Sequence, residues 1–301
     1  MNPILALIIA NIIWGAASPI FKFSLQNIPP FTLAFIRFFF AGLIFIPLII
    51  NKWQRLTLRQ WFEIILVGFF GITINIAFFF LGIKKTESIN APIIASAAPV
   101  FIYFLSLIFL KERSKTKVIL GMMTALAGVL LIILSPILLD GKNLVMGEIS
   151  GNVFIMIATL GTVFQTLIGR DILKKVNSYQ VALITFFFGA LTFLPFFLNE
   201  MHTWSFSELN GQGWFGIIFG VFFSSALAYW LFYYGVSKIK AQEVGIFTYI
   251  DPVTAVLVAI PLLGEFPNSF YFLGSIFIFG GIYLAEGRIH WHPFHRLKMS
   301  K

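Results

Sequence analysis

The sequence predicts an all-α integral membrane protein of ten transmembrane helices, arranged as two five-helix repeats of inverted topology. Three observations carry this expectation: a composition too apolar for an aqueous surface, ten apolar runs with short polar breaks, and an internal duplication. Of the 301 residues, 59% are hydrophobic and 11% charged, whereas a soluble domain carries roughly a quarter charged residues. Lipid is the solvent that accepts such a surface. A hydrocarbon core of ~30 Å needs about 20 helical residues per crossing, so the chain has room for ten. The runs predict helices near 3–24, 31–50, 61–82, 90–110, 118–138, 148–169, 179–199, 214–236, 243–263 and 270–286. Helix is required because lipid offers no partner to backbone amides. The run from Ala34 to Ile50 lacks the alternation of a membrane β-strand. The first run is too long for a signal peptide and has no basic region before it, so it is expected to remain as helix 1.

The basic residues orient the bundle. With the N-terminus cytoplasmic, the inner loops hold Lys52, Arg55 and Arg59; Lys111, Arg113, Lys115 and Lys117; Arg170, Lys174 and Lys175; Lys238 and Lys240. The tail adds Arg288, Arg296, Lys298 and Lys301, against Lys84, Lys85 and Lys142 outside. This bias predicts both termini inside and an even number of crossings in a cell membrane. The net charge of +9 is therefore read as membrane topology, with no nucleic-acid partner. The chain has no cysteine, which excludes disulfides, thiol chemistry and Cys-ligated metal. Trp53, Trp61, Trp204, Trp214 and Trp291 fall near span ends, where indoles favour the headgroup layer. Trp14 and Trp230 lie inside spans and need another role.

Compared at an offset of 153 residues, Phe79, Gly82, Lys85, Pro99, Val100, Leu110, Glu112, Leu120, Gly121, Gly128 and Leu131 match Phe232, Gly235, Lys238, Pro252, Val253, Leu263, Glu265, Leu273, Gly274, Gly281 and Leu284. At an offset of 148, Asn11, Ser18, Lys22 and Pro47 face Thr159, Thr166, Arg170 and Pro195. Repeats are therefore expected over 1–140 and 145–288, with 289–301 a basic cytoplasmic tail. Five spans per repeat force the second copy to enter from the opposite side. That symmetry suits a carrier whose site lies at midplane between the halves.

Asn11-x-x-Trp14-Gly15-x-x-Ser18-Pro19-x-x-Lys22, Arg37-Phe38, and Ala95-Ser96-x-x-Pro99-Val100 running to Leu110-x-Glu112 resemble the EamA-type permeases of the drug/metabolite transporter superfamily. So does Tyr249-x-Asp251-Pro252-Val253 running to Leu263-Gly264-Glu265. The resemblance covers roughly Asn11 to Gly287. It implies ten helices, cytoplasmic termini and a cavity lined mainly by helices 1, 3, 4, 6, 8 and 9. It also implies export or exchange of amino acids or related metabolites.

Candidate substrate-binding residues follow from polar groups at lipid depth. Asn11, Trp14, Ser18 and Lys22 share one face of helix 1, and Thr159, Thr162, Thr166 and Arg170 repeat it on helix 6. Such a stripe lines either a cavity or a helix seam. Lys22 and Arg170, at helix ends, are expected to snorkel. Asp251, expected well inside helix 9 beside Pro252, can bind a substrate ammonium, carry a coupling proton, or simply fill the break that proline makes. Arg37, about two turns into helix 2, can hold a substrate carboxylate or snorkel. Tyr229, Tyr233 and Tyr249 can wall the cavity or merely pack. Asn75 and Ser96 are lesser candidates. Glu112 and Glu265 read as structural, and Gly121, Ala125 and Gly128, with Gly274, Ile278 and Gly281, as packing residues.

The tail sequence His290-Trp291-His292-Pro293-Phe294-His295 reads as a lipid-surface anchor rather than a metal cluster. No nucleotide-binding loop, His-Glu-x-x-His pair or nucleophile elbow is present, so no cofactor, metal or catalytic residue is expected. The rival readings are a carrier of phosphorylated or nucleotide-like metabolites, a lipid-modifying membrane enzyme, and a receptor or scaffold.

Overall fold

A computed structural model describes residues 2–98, 100, 101, 105, 116–140, 146–238 and 245–286. Within them every regular element is helical. The chain runs α1 (Pro3–Ser24), α2 (Pro30–Ile49), α3 (Leu58–Ile83), α4 (Asn90–Ala95), α5 (Thr116–Asp140), α6 (Met146–Lys175) and α7 (Ser178–Glu200). Next comes α8, built of Gly211–Ile218, Phe219–Leu227 and Ala228–Lys238, then α9 (Ile250–Leu263) and α10 (Ser269–Glu286). Seven of the described helices are long and apolar enough to cross a membrane, and Phe247–Leu263, which includes α9, and Ser269–Leu284 of α10 are shorter apolar helices. The outward surface agrees: Leu257 is 68% and Ile276 67% exposed, a liability in water but not in lipid.

Helix starts follow local chemistry. Asn2 accepts from the Ile4 amide at 2.9 Å with Pro3 as first helical residue. Thr57 and Gln60 form a capping box at α3. The start of α2 follows Pro29 and has no cap of its own, so it borrows one. Glu200, ending α7, accepts from the amides of Phe31 (3.2 Å) and Thr32 (2.6 Å) and from the Thr32 hydroxyl (2.8 Å). At the opposite end Gln54, after α2, accepts from the Asn177 amide at 2.9 Å and exchanges two 2.9 Å bonds with Gln180 at the start of α7. The α2–α7 pair is thus tied at both ends.

Packing is set by small residues. α5 lies along α10, and a Cβ on Gly281 would sit 2.4 Å from both the Ala125 nitrogen and the Gly121 oxygen. A Cβ on Gly128 would meet the Gly274 oxygen at 2.6 Å. These glycines let two backbones touch, as expected of small residues that pack helices. Gly281→Leu is expected to force the pair apart, destabilising by about 3 kcal/mol at the upper end of overpacking. Thermal unfolding in detergent would read this as a melting temperature lowered by several degrees. Elsewhere α1 packs on α8 and α9, α6 on α3 and α4, and α2 on α7 and α8.

The backbone departs from uniform helix at four places the sequence left unmarked, one of them a turn at Ser96–Ala97 that ends α4 inside the helix expected over 90–110. Phe69–Ile74 in α3 and Phe219–Leu227 in α8 are π-helical, at corresponding positions of the two halves. Ahead of α9, Gly245–Tyr249 is a 3-10 turn, and the α-helix begins only at Ile250. Asp251 therefore sits in a first turn, not well inside a helix. Pro252 is tolerated there because amides in the first turn lack helical acceptors. Trp204, four residues beyond the end of α7, is 8% exposed and packs against Phe206. Pro99, Glu112, the Arg170 side chain, the six-residue His-Trp stretch and the basic tail lie outside the described residues.

Candidate functional site

α1 is the spine of the candidate site. The Asn11 side chain donates to the Leu7 carbonyl at 2.8 Å, while its Oδ1 is buried without a partner among the described residues. The Ser18 hydroxyl is likewise buried and unpartnered among them. Between the two, Gly15 meets α9: a Cβ there would lie 2.6 Å from the Asp251 carbonyl and 2.8 Å from the Thr254 Cβ. Trp14, one residue earlier, turns to α8. Its Nε1 donates to the Ser224 carbonyl at 3.1 Å, and its ring packs on Tyr229 and Phe232 at 5.3 and 4.9 Å. A π turn shifts the hydrogen-bond register and leaves carbonyls exposed to outside donors. This explains an indole at lipid depth.

The same π segment builds the surroundings of Arg37. The guanidinium is 3% exposed and does not snorkel. Its Nε donates to the Ser225 hydroxyl at 2.7 Å and its Nη2 to the Ser224 hydroxyl at 3.0 Å. Phe21 and Phe38 each stand 4.8 Å from its central carbon, a stabilising arrangement for a desolvated cation. Gly220 makes room, since a Cβ there would be 3.3 Å from the Arg37 Cδ. No carboxylate among the described residues pairs with Arg37. Ser224 went unnoticed in the sequence, although a Ser-Ser pair in the apolar run Phe219–Leu227 was a usable signal.

Asp251 is partly exposed, and its Oδ1 is withdrawn from the surface with no partner among the described residues. It stands at the amino end of α9, where the helix dipole favours a negative charge. Neighbouring Tyr249 packs on Phe279 of α10, with ring centres 5.5 Å apart.

Other candidates have structural partners. Asn75 donates to the Ala158 carbonyl and the Thr162 hydroxyl, both at 2.8 Å, sealing α3 against α6. Thr159 and Thr166 bond carbonyls of their own helix, as does Ser96, which donates to Pro92 at 2.9 Å. Asn75 and Thr162 thus bond across the α3–α6 contact, whereas Thr159 and Thr166 bond within α6. Tyr229 and Tyr233 are buried in a chain of edge-on rings with Trp14 and Phe186. Trp230 donates to the Tyr179 hydroxyl at 2.5 Å, a bond between α8 and α7. An apolar groove of about 620 Å³ opens between α2 and α8, walled by Phe40, Leu43, Trp214 and Phe222. It offers no charged group.

Lys22 does not snorkel. Its Nζ donates to Glu265 Oε1 at 2.5 Å and to the Thr86 carbonyl at 2.7 Å. Glu87 stands nearby, half-buried, and burial, helped by Glu265, raises its carboxyl above the ordinary carboxylate range. A pKa raised on folding means the folded state binds this proton more tightly. Its ionisation therefore withdraws stability as pH climbs from the unfolded value through the folded one. Glu87→Gln is expected to melt higher than the parent at pH 7 and level with it below pH ~4, as scanning fluorimetry across pH would show.

The EamA-like transporter family matches residues 1–134 and 149–286. The chain is 28% identical over 288 residues to the uncharacterized transporter YetK of Bacillus subtilis, covering 95% of this chain and 87% of that one. An uncharacterized transporter of Archaeoglobus fulgidus is 28% identical over 276 residues, covering 90% and 94%. A chloroplastic WAT1-related protein of Arabidopsis thaliana is 22% identical, covering 91% and 66%. One solved structure, "Crystal structure of protein", superposes with TM-score 0.61 at 16% identity over 94% of this chain and 96% of that one, a likeness of fold. With both halves matched and the apolar helices in place, the chain belongs to the EamA-like transporter family of multi-pass membrane proteins.

Proposed function

We propose that this chain is a secondary permease for small organic metabolites, amino acids or their close relatives, working by alternating access between two inverted five-helix halves. The halves are 1–140 and 145–288, with both termini cytoplasmic in a cell membrane. Exchange of α1–α5 for α6–α10 supports this reading, because it turns the α1–α8 contact into α6–α3, the α1–α9 contact into α6–α4, and leaves α2–α7 and α5–α10 unchanged. The paired π segments obey the same exchange. The bias of Lys and Arg toward one set of loops supports the orientation.

The observation that carries the substrate reading is Arg37, a buried cation with hydroxyls and rings around it but no carboxylate among the described residues. A substrate carboxylate would neutralise it through the charge-assisted bonds guanidinium makes best. Asp251, at the interrupted start of α9, then serves a substrate ammonium or a coupling proton. Asn11, Trp14 and Ser18 line the space between, with Tyr229, Tyr233 and Tyr249 as aromatic walls and Asn75 and Ser96 as outlying polar groups. A phosphorylated substrate fits less well, since Lys22 is engaged by Glu265 and leaves Arg37 the unpaired cation of the described site.

Binding tests this directly. Amino acids should raise the melting temperature of the purified protein in a concentration-dependent way, while their carboxamides should not. Equal stabilisation by acid and amide would remove Arg37 from the substrate site.

A further inference from the structure

Beyond the central site, one polar cluster joins the two halves. Glu265 follows α9 directly, and Gly264 before it holds φ at +67°. In that left-handed turn, which glycine adopts without strain, the chain reverses and carries Glu265 to α1 and α4. Both carboxylate oxygens are engaged: Oε1 by Lys22 Nζ at 2.5 Å, and Oε2 by the Ser88 amide at 2.7 Å and the Ser88 hydroxyl at 2.6 Å. The Thr86 hydroxyl donates to Asn152 at 2.9 Å, and Asn90 bonds both at 3.1 Å, so α6 is held too.

We propose that the Lys22–Glu265–Ser88 cluster is a gate, which closes the outer side of the candidate site and must part for outward access. The proposal rests on the alternating-access reading above. Ser18 lies one turn inward of Lys22 on the same face, so the cluster sits directly over the candidate site. Of the two described ion pairs, Arg59–Glu63 lies within one helix, and Lys22–Glu265 alone joins the halves. Its side chains are 25% and 10% exposed, so water can replace each bond as the ends separate. A reversible latch needs that property, which a fully dry pair lacks.

The chain has no cysteine, so Ser18→Cys supplies a single thiol. Its reaction with a membrane-impermeant maleimide is followed from each side of sealed, oriented vesicles, alone and combined with Glu265→Gln or Lys22→Met. The expected result is slow outer labelling of Ser18→Cys alone, rising at least tenfold with either gate substitution. Unchanged outer labelling in both combinations, or a rise confined to the inner side, would overturn the gate. Lys22→Cys/Glu265→Cys, bridged by a flexible bifunctional thiol reagent, gives a second test that keeps the cluster closed. Bridging should stop flux until the linker is reduced, and full flux in the bridged protein would also overturn the proposal. Labelling needs no knowledge of the substrate. A labelling response without flux for any compound would therefore leave the gate standing and defeat the permease reading, and flux without a labelling response would do the reverse.

Discussion

Arg37→Met is expected to lower transport at limiting substrate about 30-fold or more while leaving the folded protein at least as stable as the parent. The two halves of this expectation share one cause. Arg37 is a desolvated cation whose described partners are two hydroxyls and two rings. Those contacts offset its burial only in part, and replacing buried charge by a well-packed apolar side chain is often neutral or stabilising. After the change, the Ser224 and Ser225 hydroxyls can turn to carbonyls of their own helix, so few groups are orphaned. A substrate carboxylate, in contrast, loses its counter-ion in a low-dielectric site, which costs about 2–5 kcal/mol. Initial rates at low substrate, set beside melting curves of the same preparations, check both halves. A purely structural arginine would give the opposite pattern: a lowered melting temperature and near-normal flux per folded molecule. Arg37→Lys should fall between, because a compact ammonium keeps the charge but cannot reach both serines and a carboxylate with one planar fork.

Asp251→Asn is the second large effect. A carboxylate at the amino end of α9, with one oxygen unpartnered among the described residues, can exchange only a proton or a cation with a passing substrate. If it carries the coupling proton, an imposed pH gradient should accelerate flux several-fold in the parent and leave the amide variant unaffected. Exchange of substrate for substrate should survive, since that mode needs no net proton movement. Both measurements use the same proteoliposomes, with the gradient applied or collapsed by an ionophore. A variant that keeps its full gradient response would reduce Asp251 to a residue that finishes a helix.

Much of the fold was legible because lipid leaves few solutions. Apolar runs of sufficient length imply helices, and glycines read as packing residues, Gly128 and Gly281 among them, do lie where α5 and α10 meet, though the sequence did not say which helices would pair. The π turns of α3 and α8 were not legible. In α8 the Trp14 indole of a neighbouring helix takes the Ser224 carbonyl, and no local propensity announces that. The same limit hid the partners of Lys22 and Arg37. Depth along a helix suggested snorkelling, but their partners Glu265, Ser224 and Ser225 lie far away in sequence. Asp251 was recognised as chemically exceptional from its type and setting. Its position at a helix start, just after the 3-10 turn Gly245–Tyr249, was not.

Flux tests the central claim most directly. Purified protein in proteoliposomes would be offered a panel of labelled amino acids and related metabolites, with Arg37→Met as the matched control. Saturable uptake or efflux of at least one carboxylate-bearing compound, lost in the control, is the predicted result. No flux above empty liposomes for any member of the panel, from protein shown to be folded and inserted, would contradict it.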